Sequence, residues 1–83
     1  MTVKVESIIR ISLPKYTIRV WRFEEDQYEH VTQGVTDVEC VAHECQDLHP
    51  KALGLKLMLM ERVSAVEILD WNQNGIVYYQ AYQ

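Results

Sequence analysis

The sequence predicts an α+β fold, with an antiparallel sheet of about four to five strands and one or two helices packed on one face. The expected order of elements is β-β-β-α-α-β-β. Three observations predict it: apolar and polar residues alternate near both ends of the chain, a stripe of helical period occupies the middle, and Asn74-Gly75 separates two apolar runs. Asn-Gly in that setting favours a tight hairpin because both residues accept a positive φ. We therefore expect the chain to close with a β-hairpin that turns at Asn74-Gly75.

The N-terminal part of the chain predicts three strands. Residues 3–13 alternate between apolar and polar and predict a half-buried strand, which ends at Pro14 because proline donates no ladder hydrogen bond. Residues 16–23 predict a second strand, although the alternation does not decide which of its sides is buried. After a polar loop, residues 28–32 predict a short returning strand, so that 16–32 forms a hairpin.

A helix is predicted over residues 36–47. Thr36 and Glu39 match a capping box, and Asp37 places a negative charge where the helix dipole favours it. The apolar residues of this segment recur at helical spacing, as in an amphipathic helix with one buried side. They are Val38, Val41, Ala42 and Cys45.

Residues 50–62 predict a second helix. Pro50 suits a first helical position, and the residues that follow are mainly strong helix formers. The alternating leucines are also typical of a strand, but β-branched residues are absent before Val63. The apolar arc of this helix is wider than one core of this size uses. Residues 64–71 and 76–79 then predict the two strands of the closing hairpin.

Length and cysteine content predict a single intracellular domain. A chain of 83 residues is one domain's worth, here 1–83. Cys40 and Cys45 are too few for a secreted disulfide scaffold and predict free thiols in a reducing compartment. The N-terminus has charges where a signal peptide places its apolar core, and the apolar stretch 52–60 is about half a membrane span. We therefore expect a cytoplasmic protein without a membrane segment.

Charge is distributed unevenly along the chain. Residues 1–23 carry five Lys or Arg and one acid, whereas 24–49 carry eight acids and no Lys or Arg, within a net charge of −4. Two interpretations are open. The opposite charges pair within the fold, or they make one face attractive to a charged partner.

The residue patterns argue against catalysis and metal binding. Cys40, His43, Cys45 and His49 are zinc-ligand types, but on a helix the first two would point away from the last two. The acidic segment 24–29 has no EF-hand spacing. Neither Gly-x-Ser-x-Gly nor a glycine-rich phosphate loop occurs. We therefore expect a non-enzymatic protein with no cofactor.

By exclusion, the sequence favours a small protein–protein interaction domain, a regulator or inhibitor that occupies a partner's surface. A phage or mobile-element inhibitor of a host system is one concrete version. Large apolar patches on small domains usually mean association, so a homodimer is a further expectation. Methionine and aromatic side chains are favoured at interfaces, and the acidic residues suit a charged partner. The predicted protein-binding residues are Leu53, Leu57, Met60, Trp71, Tyr78, Tyr79, Glu24, Glu25 and Asp26.

The alternative is a nucleic-acid-binding domain that uses the basic and aromatic N-terminal strands. Its contact residues would be Arg10, Arg19, Trp21 and Arg22. Cations beside aromatic rings are a common means of binding single-stranded nucleic acid. A sequence pI of about 5.2 argues against this alternative, because nucleic-acid-binding domains are usually basic.

Overall fold

The fold is that of a computed structural model, which describes residues 5–24 and 37–81. Four strands, β1 (Val5–Ser12), β2 (Tyr16–Glu24), β3 (Val63–Asp70) and β4 (Gly75–Gln80), form an antiparallel sheet in the order β1-β2-β3-β4. Helices α1 (Asp37–Glu44) and α2 (Pro50–Met58) lie between β2 and β3 along the chain. The predicted α+β class is confirmed, and the element order is close to the prediction.

Strand β2 lies inside the sheet, with β1 on one side and β3 on the other. It pairs with β1 from Glu24 back to Thr17, and the chain reverses at Pro14, where the Leu13 N–H donates to the Tyr16 carbonyl at 2.8 Å. The strand predicted at 28–32 lies outside the described residues. Strands β1 and β3 occupy both sides of β2. The predicted 16–32 hairpin would have required residues 28–32 to pair on one of those sides.

The core lies on one face of the sheet, beneath the two helices. Successive strand residues point to opposite faces, so paired positions form rows across the sheet. Two such rows supply the sheet side of the core. They are Ile9, Val20, Val66 and Tyr79, and Ile11, Ile18, Ile68 and Val77. The helices contribute four side chains without exposed surface, namely Val38, Ala42, Leu53 and Leu57.

Helix α1 has the amphipathic character that its spacing predicts. Val38 and Ala42 are buried, and Val41 and Cys45 pack against the core as partly buried side chains. The helix ends at Glu44, three residues before the predicted end. Thr36 of the predicted capping box lies outside the described residues.

Helix α2 begins at Pro50 as predicted but ends at Met58, four residues before the predicted end. At its start the Lys51 N–H donates to His49 Nδ1 at 3.1 Å. After Met58 the chain turns, and Arg62 takes a left-handed φ of 65°. That turn lets the Arg62 carbonyl accept the Phe23 N–H at 2.9 Å, which brings Val63 into the sheet. Residues 59–62 are therefore not helical, although they include helix formers, because the chain turns there to enter β3.

The closing hairpin forms, but its turn differs from the predicted Asn74-Gly75 turn. Gly75 is the first residue of β4, and Gln73 has the positive φ, at 69°. The Asp70 carboxylate accepts the N–H groups of Asn72 at 2.8 Å and Asn74 at 2.9 Å. These bonds organise a four-residue loop over 71–74, and so the two-residue turn is wrong.

Candidate protein-binding surface

The sheet has a second face, which we call the open face, and neither described helix packs on it. Its residues alternate with the core rows along each strand. They are Glu6, Ile8, Arg10 and Ser12 of β1, Thr17, Arg19, Trp21 and Phe23 of β2, Ala65, Glu67 and Leu69 of β3, and Tyr78 and Gln80 of β4. Ala65 and Leu69 are buried on this face, and the other residues of the set are exposed or half-buried.

The open face carries two exposed apolar side chains on its edge strands and an aromatic side chain between them. Ile8 is 47% exposed and Tyr78 is 56% exposed. Trp21 is half-buried and meets Tyr78 edge to face, with ring centroids 6.4 Å apart and ring planes at 78°. Such aromatic pairs carry large contact area and are typical of the residues that dominate protein interfaces.

A charged row crosses the open face beside these rings. Arg10, Arg19, Glu67 and Tyr78 are paired in register across the four strands. Arg19 Nη1 lies 3.3 Å from Glu67 Oε1, and their side chains are 40% and 25% exposed. Because this ion pair is at the surface, it contributes little to stability. It does neutralise one of the cations on this face.

A pocket of about 330 Å³ opens on the same face, at the end where β4 finishes. Ala65 lies between Trp21 and Gln80 in the register, so a small side chain separates two large ones. The Ser64 hydroxyl lies 2.6 Å from Glu6 Oε2 and 3.2 Å from the Trp21 carbonyl oxygen. The pocket is lined by Glu6, Trp21, Phe23, Ser64, Ala65, Tyr78, Gln80 and Ala81.

The structure separates the predicted protein-binding residues. Leu53 and Leu57 have no exposed surface, so their assignment to a binding surface was wrong. They pack under the sheet because the wide apolar arc of α2 turns one flank inward, leaving Leu55 and Leu59 on the other flank 53% and 86% exposed. Those two exposed leucines were not among the predicted contact residues.

The other predicted contacts lie in four different places. Met60 and Tyr79 are partly buried against the core, and the Tyr79 hydroxyl donates to the Lys51 carbonyl at 3.3 Å. Tyr78 lies on the open face, and Trp71, 77% exposed, lies in the β3–β4 loop. Glu24 ends β2, while Glu25 and Asp26 lie outside the described residues. Of the predicted set, Tyr78 is therefore the residue placed on the open face.

The basic and aromatic set proposed for nucleic acid does not form one surface. Arg10, Arg19 and Trp21 lie on the open face, but Arg22 points to the core side, with 10% of its side chain exposed. Its guanidinium donates to the two carboxylate oxygens of Asp37 at 2.7 and 3.1 Å. These bonds hold the pKa of Asp37 below its ordinary value of 3.8. The assignment of Arg22 to a ligand surface was therefore wrong.

The cysteine and histidine residues near α1 do not converge. Cys40 is exposed and Cys45 half-buried, and both are free thiols. His49 uses Nδ1 to accept the Lys51 N–H. Within residues 5–24 and 37–81, no group of three or more His, Cys, Asp or Glu side chains is placed to hold a metal ion.

Sequence reasoning missed the pocket residues Glu6, Phe23, Ser64 and Ala65. The one signal available was the alternation of β2, which puts Phe23 on the same side as Trp21. The contact between Glu6 and Ser64 joins positions 58 residues apart, so no local pattern indicates it.

None of the helices in the described part of the chain has the length and apolar character that a membrane crossing requires. Comparison with known proteins finds no matching family model, curated protein or solved structure. Any functional conclusion must therefore come from the chemistry of the surface itself.

Proposed function

We propose that the chain is a non-enzymatic protein–protein interaction domain that binds its partner through the open face. A small cytoplasmic regulator or inhibitor that covers a partner's surface is the version that best suits its size. The observation that supports the proposal is the exposure of Ile8 and Tyr78 around Trp21, on a face that neither described helix covers. An aromatic and aliphatic centre bordered by charged side chains is the usual composition of a protein interface.

Charge favours a protein over a nucleic acid as the ligand of this face. Arg22 forms an ion pair with Asp37 on the core side of the sheet, and Arg19 forms an ion pair with Glu67. Glu6 adds a carboxylate to the same face. Binding to a phosphate backbone depends on several uncompensated cations, which this arrangement does not provide.

The proposal is tested by affinity capture from the source cell with three versions of the chain. Tyr78→Glu introduces a charge into the open face, and Leu59→Glu introduces the same charge at the 86% exposed position after α2. We expect the wild type and Leu59→Glu to enrich the same protein, and Tyr78→Glu to lose at least about tenfold of it, the effect of a 1.4 kcal/mol loss. Loss in Leu59→Glu alone would contradict the proposal.

Two further measurements cover the other ligands. We expect the chain not to bind single- or double-stranded oligonucleotides at low salt. Binding that weakens steeply with salt and is lost in Arg10→Glu would support the nucleic-acid alternative instead. Light scattering of the wild type and Tyr78→Glu identifies a second copy of the chain as the partner if a dimer forms and the variant dissociates it.

A further inference from the structure

The pocket on the open face joins aromatic walls to a carboxylate. Trp21 and Tyr78 line it with ring planes at 78° to each other, and Phe23 contributes a third ring. The face of an aromatic ring carries negative electrostatic potential, which attracts a cation. The walls of this pocket therefore favour a positively charged ligand over an anionic one.

The carboxylate of the pocket accepts a hydrogen bond from a side chain of β3. Glu6 Oε2 lies 2.6 Å from the Ser64 hydroxyl, which also lies 3.2 Å from the Trp21 carbonyl oxygen. This contact connects the edge strand β1 to β3 across β2. A carboxylate held beside aromatic rings can accept hydrogen bonds from a cation that stacks on those rings.

A small side chain lies between two larger ones in the lining of the pocket. Ala65 separates Trp21 from Gln80 in the register, and it is 6% exposed. The volume of about 330 Å³ exceeds that of any single side chain, so one long side chain can enter from the surface. The net charge of −4 of the whole chain adds a long-range attraction for a basic ligand.

We propose that this pocket binds an arginine side chain presented by the partner protein. A planar guanidinium can stack on an indole ring and still donate two hydrogen bonds to one carboxylate, whereas an ammonium group cannot do both. This inference rests on the proposed function, since it names the partner residue that the open face recognises. The partner therefore presents a basic segment to the sheet.

The test is an NMR titration of the chain with N-acetyl-arginine amide, with N-acetyl-citrulline amide as the neutral control of the same shape. The indole N–H signal of Trp21 should shift and saturate with a dissociation constant on the order of millimolar for arginine, as expected of one exposed contact. The Trp71 signal serves as an internal control, because that side chain is 77% exposed in the β3–β4 loop. Citrulline should give no saturable shift.

Two variants locate the binding. Glu6→Gln removes the charge but keeps the shape and should weaken arginine binding about fivefold, because a charge-assisted hydrogen bond is lost. Tyr78→Ser removes one wall and should weaken it further. If citrulline shifts Trp21 as arginine does, if tetramethylammonium binds and arginine does not, or if Glu6→Gln binds as well as the wild type, the inference is overturned.

The outcomes also separate this inference from the proposed function. If the Tyr78→Glu variant loses the captured partner while no arginine probe binds, the open face is an interface without an arginine pocket. If the probe binds and depends on Glu6 but no partner depends on the open face, the pocket is present and the proposed function fails.

Discussion

Arg22 carries a guanidinium on the helix-covered face of the sheet. It donates to both carboxylate oxygens of Asp37 and to the Glu61 carbonyl at 3.1 Å. These bonds tie together β2, the first turn of α1 and the segment that follows α2. A buried cation is costly unless it is paired, so this residue stabilises the fold as long as its partners are present.

Replacing Asp37 with asparagine should therefore lower the free energy of unfolding. We expect a loss of about 1–2 kcal/mol at neutral pH, less than for a fully buried pair because the Asp37 side chain is 60% exposed. Urea denaturation measures it. Asp47→Asn, an exposed acid outside α1, is the matched control and should leave the free energy nearly unchanged.

The same pair gives a pH dependence whose sign is fixed. The hydrogen bonds from Arg22 lower the pKa of Asp37 in the folded state below its ordinary value of 3.8. The stabilisation is therefore present above that ordinary pKa and is lost as the pH falls through the folded-state pKa. The difference in unfolding free energy between wild type and Asp37→Asn should shrink below about pH 4; a difference that grows there would contradict this assignment.

Helix α2 approaches β4 so closely at Gly54 that any larger residue there would displace a neighbouring side chain. A Cβ on Gly54 would lie 2.8 Å from Tyr79 Cε2 and 3.2 Å from Val77 Cγ1. Gly54 has a low helix propensity and interrupts a run of strong helix formers. Its close contact with Tyr79 and Val77 of the sheet explains why a glycine occupies this position.

Gly54→Ala should accordingly destabilise the chain despite the higher helix propensity of alanine. We expect a net loss of about 1–2 kcal/mol, because displacing the Tyr79 ring outweighs a propensity gain of about 1 kcal/mol. Ala52→Gly, at an exposed position of the same helix, measures that propensity term. In a Tyr79→Leu background the cost of Gly54→Ala should fall; stabilisation by Gly54→Ala in the wild-type background would refute the close approach.

The conformation of the β3–β4 loop predicts how substitutions at Gln73 and Asn74 change the free energy of unfolding. Gln73 holds a φ of 69°, which glycine adopts without strain. We expect Gln73→Gly to raise the free energy of unfolding by roughly 0.5 kcal/mol and Gln73→Val to lower it by about 1 kcal/mol. Asn74→Gly should be destabilising, because Asn74 has no positive φ to relieve. If Asn74→Gly stabilises and Gln73→Gly does not, the two-residue turn is correct after all.

Local patterns predict most of these elements and few of their ends. The period of Val38 and Ala42 predicts α1, and Pro50 predicts the start of α2, because both signals depend on nearby residues alone. The end of α2 and the turn at Gln73 depend on contacts with β2 and with the Asp70 side chain. The contact with β2 joins residues far apart in the sequence and leaves no local signature. The Asp70 bonds span two and four residues, but the Asn74-Gly75 pair predicts a different turn in the same segment.

For the whole molecule, the decisive feature is which side of the sheet the helices cover. Alternation divides β2 into one side with Ile18 and Val20 and another with Trp21 and Phe23, but it does not say which side meets the helices. The structure puts the aliphatic side under α1 and α2 and the aromatic side on the open face. The candidate surface as a whole could therefore not be predicted. Four of its members were named from the sequence, Tyr78 as a protein contact and Arg10, Arg19 and Trp21 as nucleic-acid contacts.

According to the proposed function, the partner protein binds the open face and not the surface at Leu59 that follows α2. Photo-crosslinking inside the source cell distinguishes the two surfaces, with a benzophenone side chain placed at Tyr78 in one variant and at Leu59 in another. Both positions are exposed, so both variants should fold. We expect a discrete cross-linked protein from position 78 and none from position 59. A discrete product from position 59 with none from position 78 would contradict it.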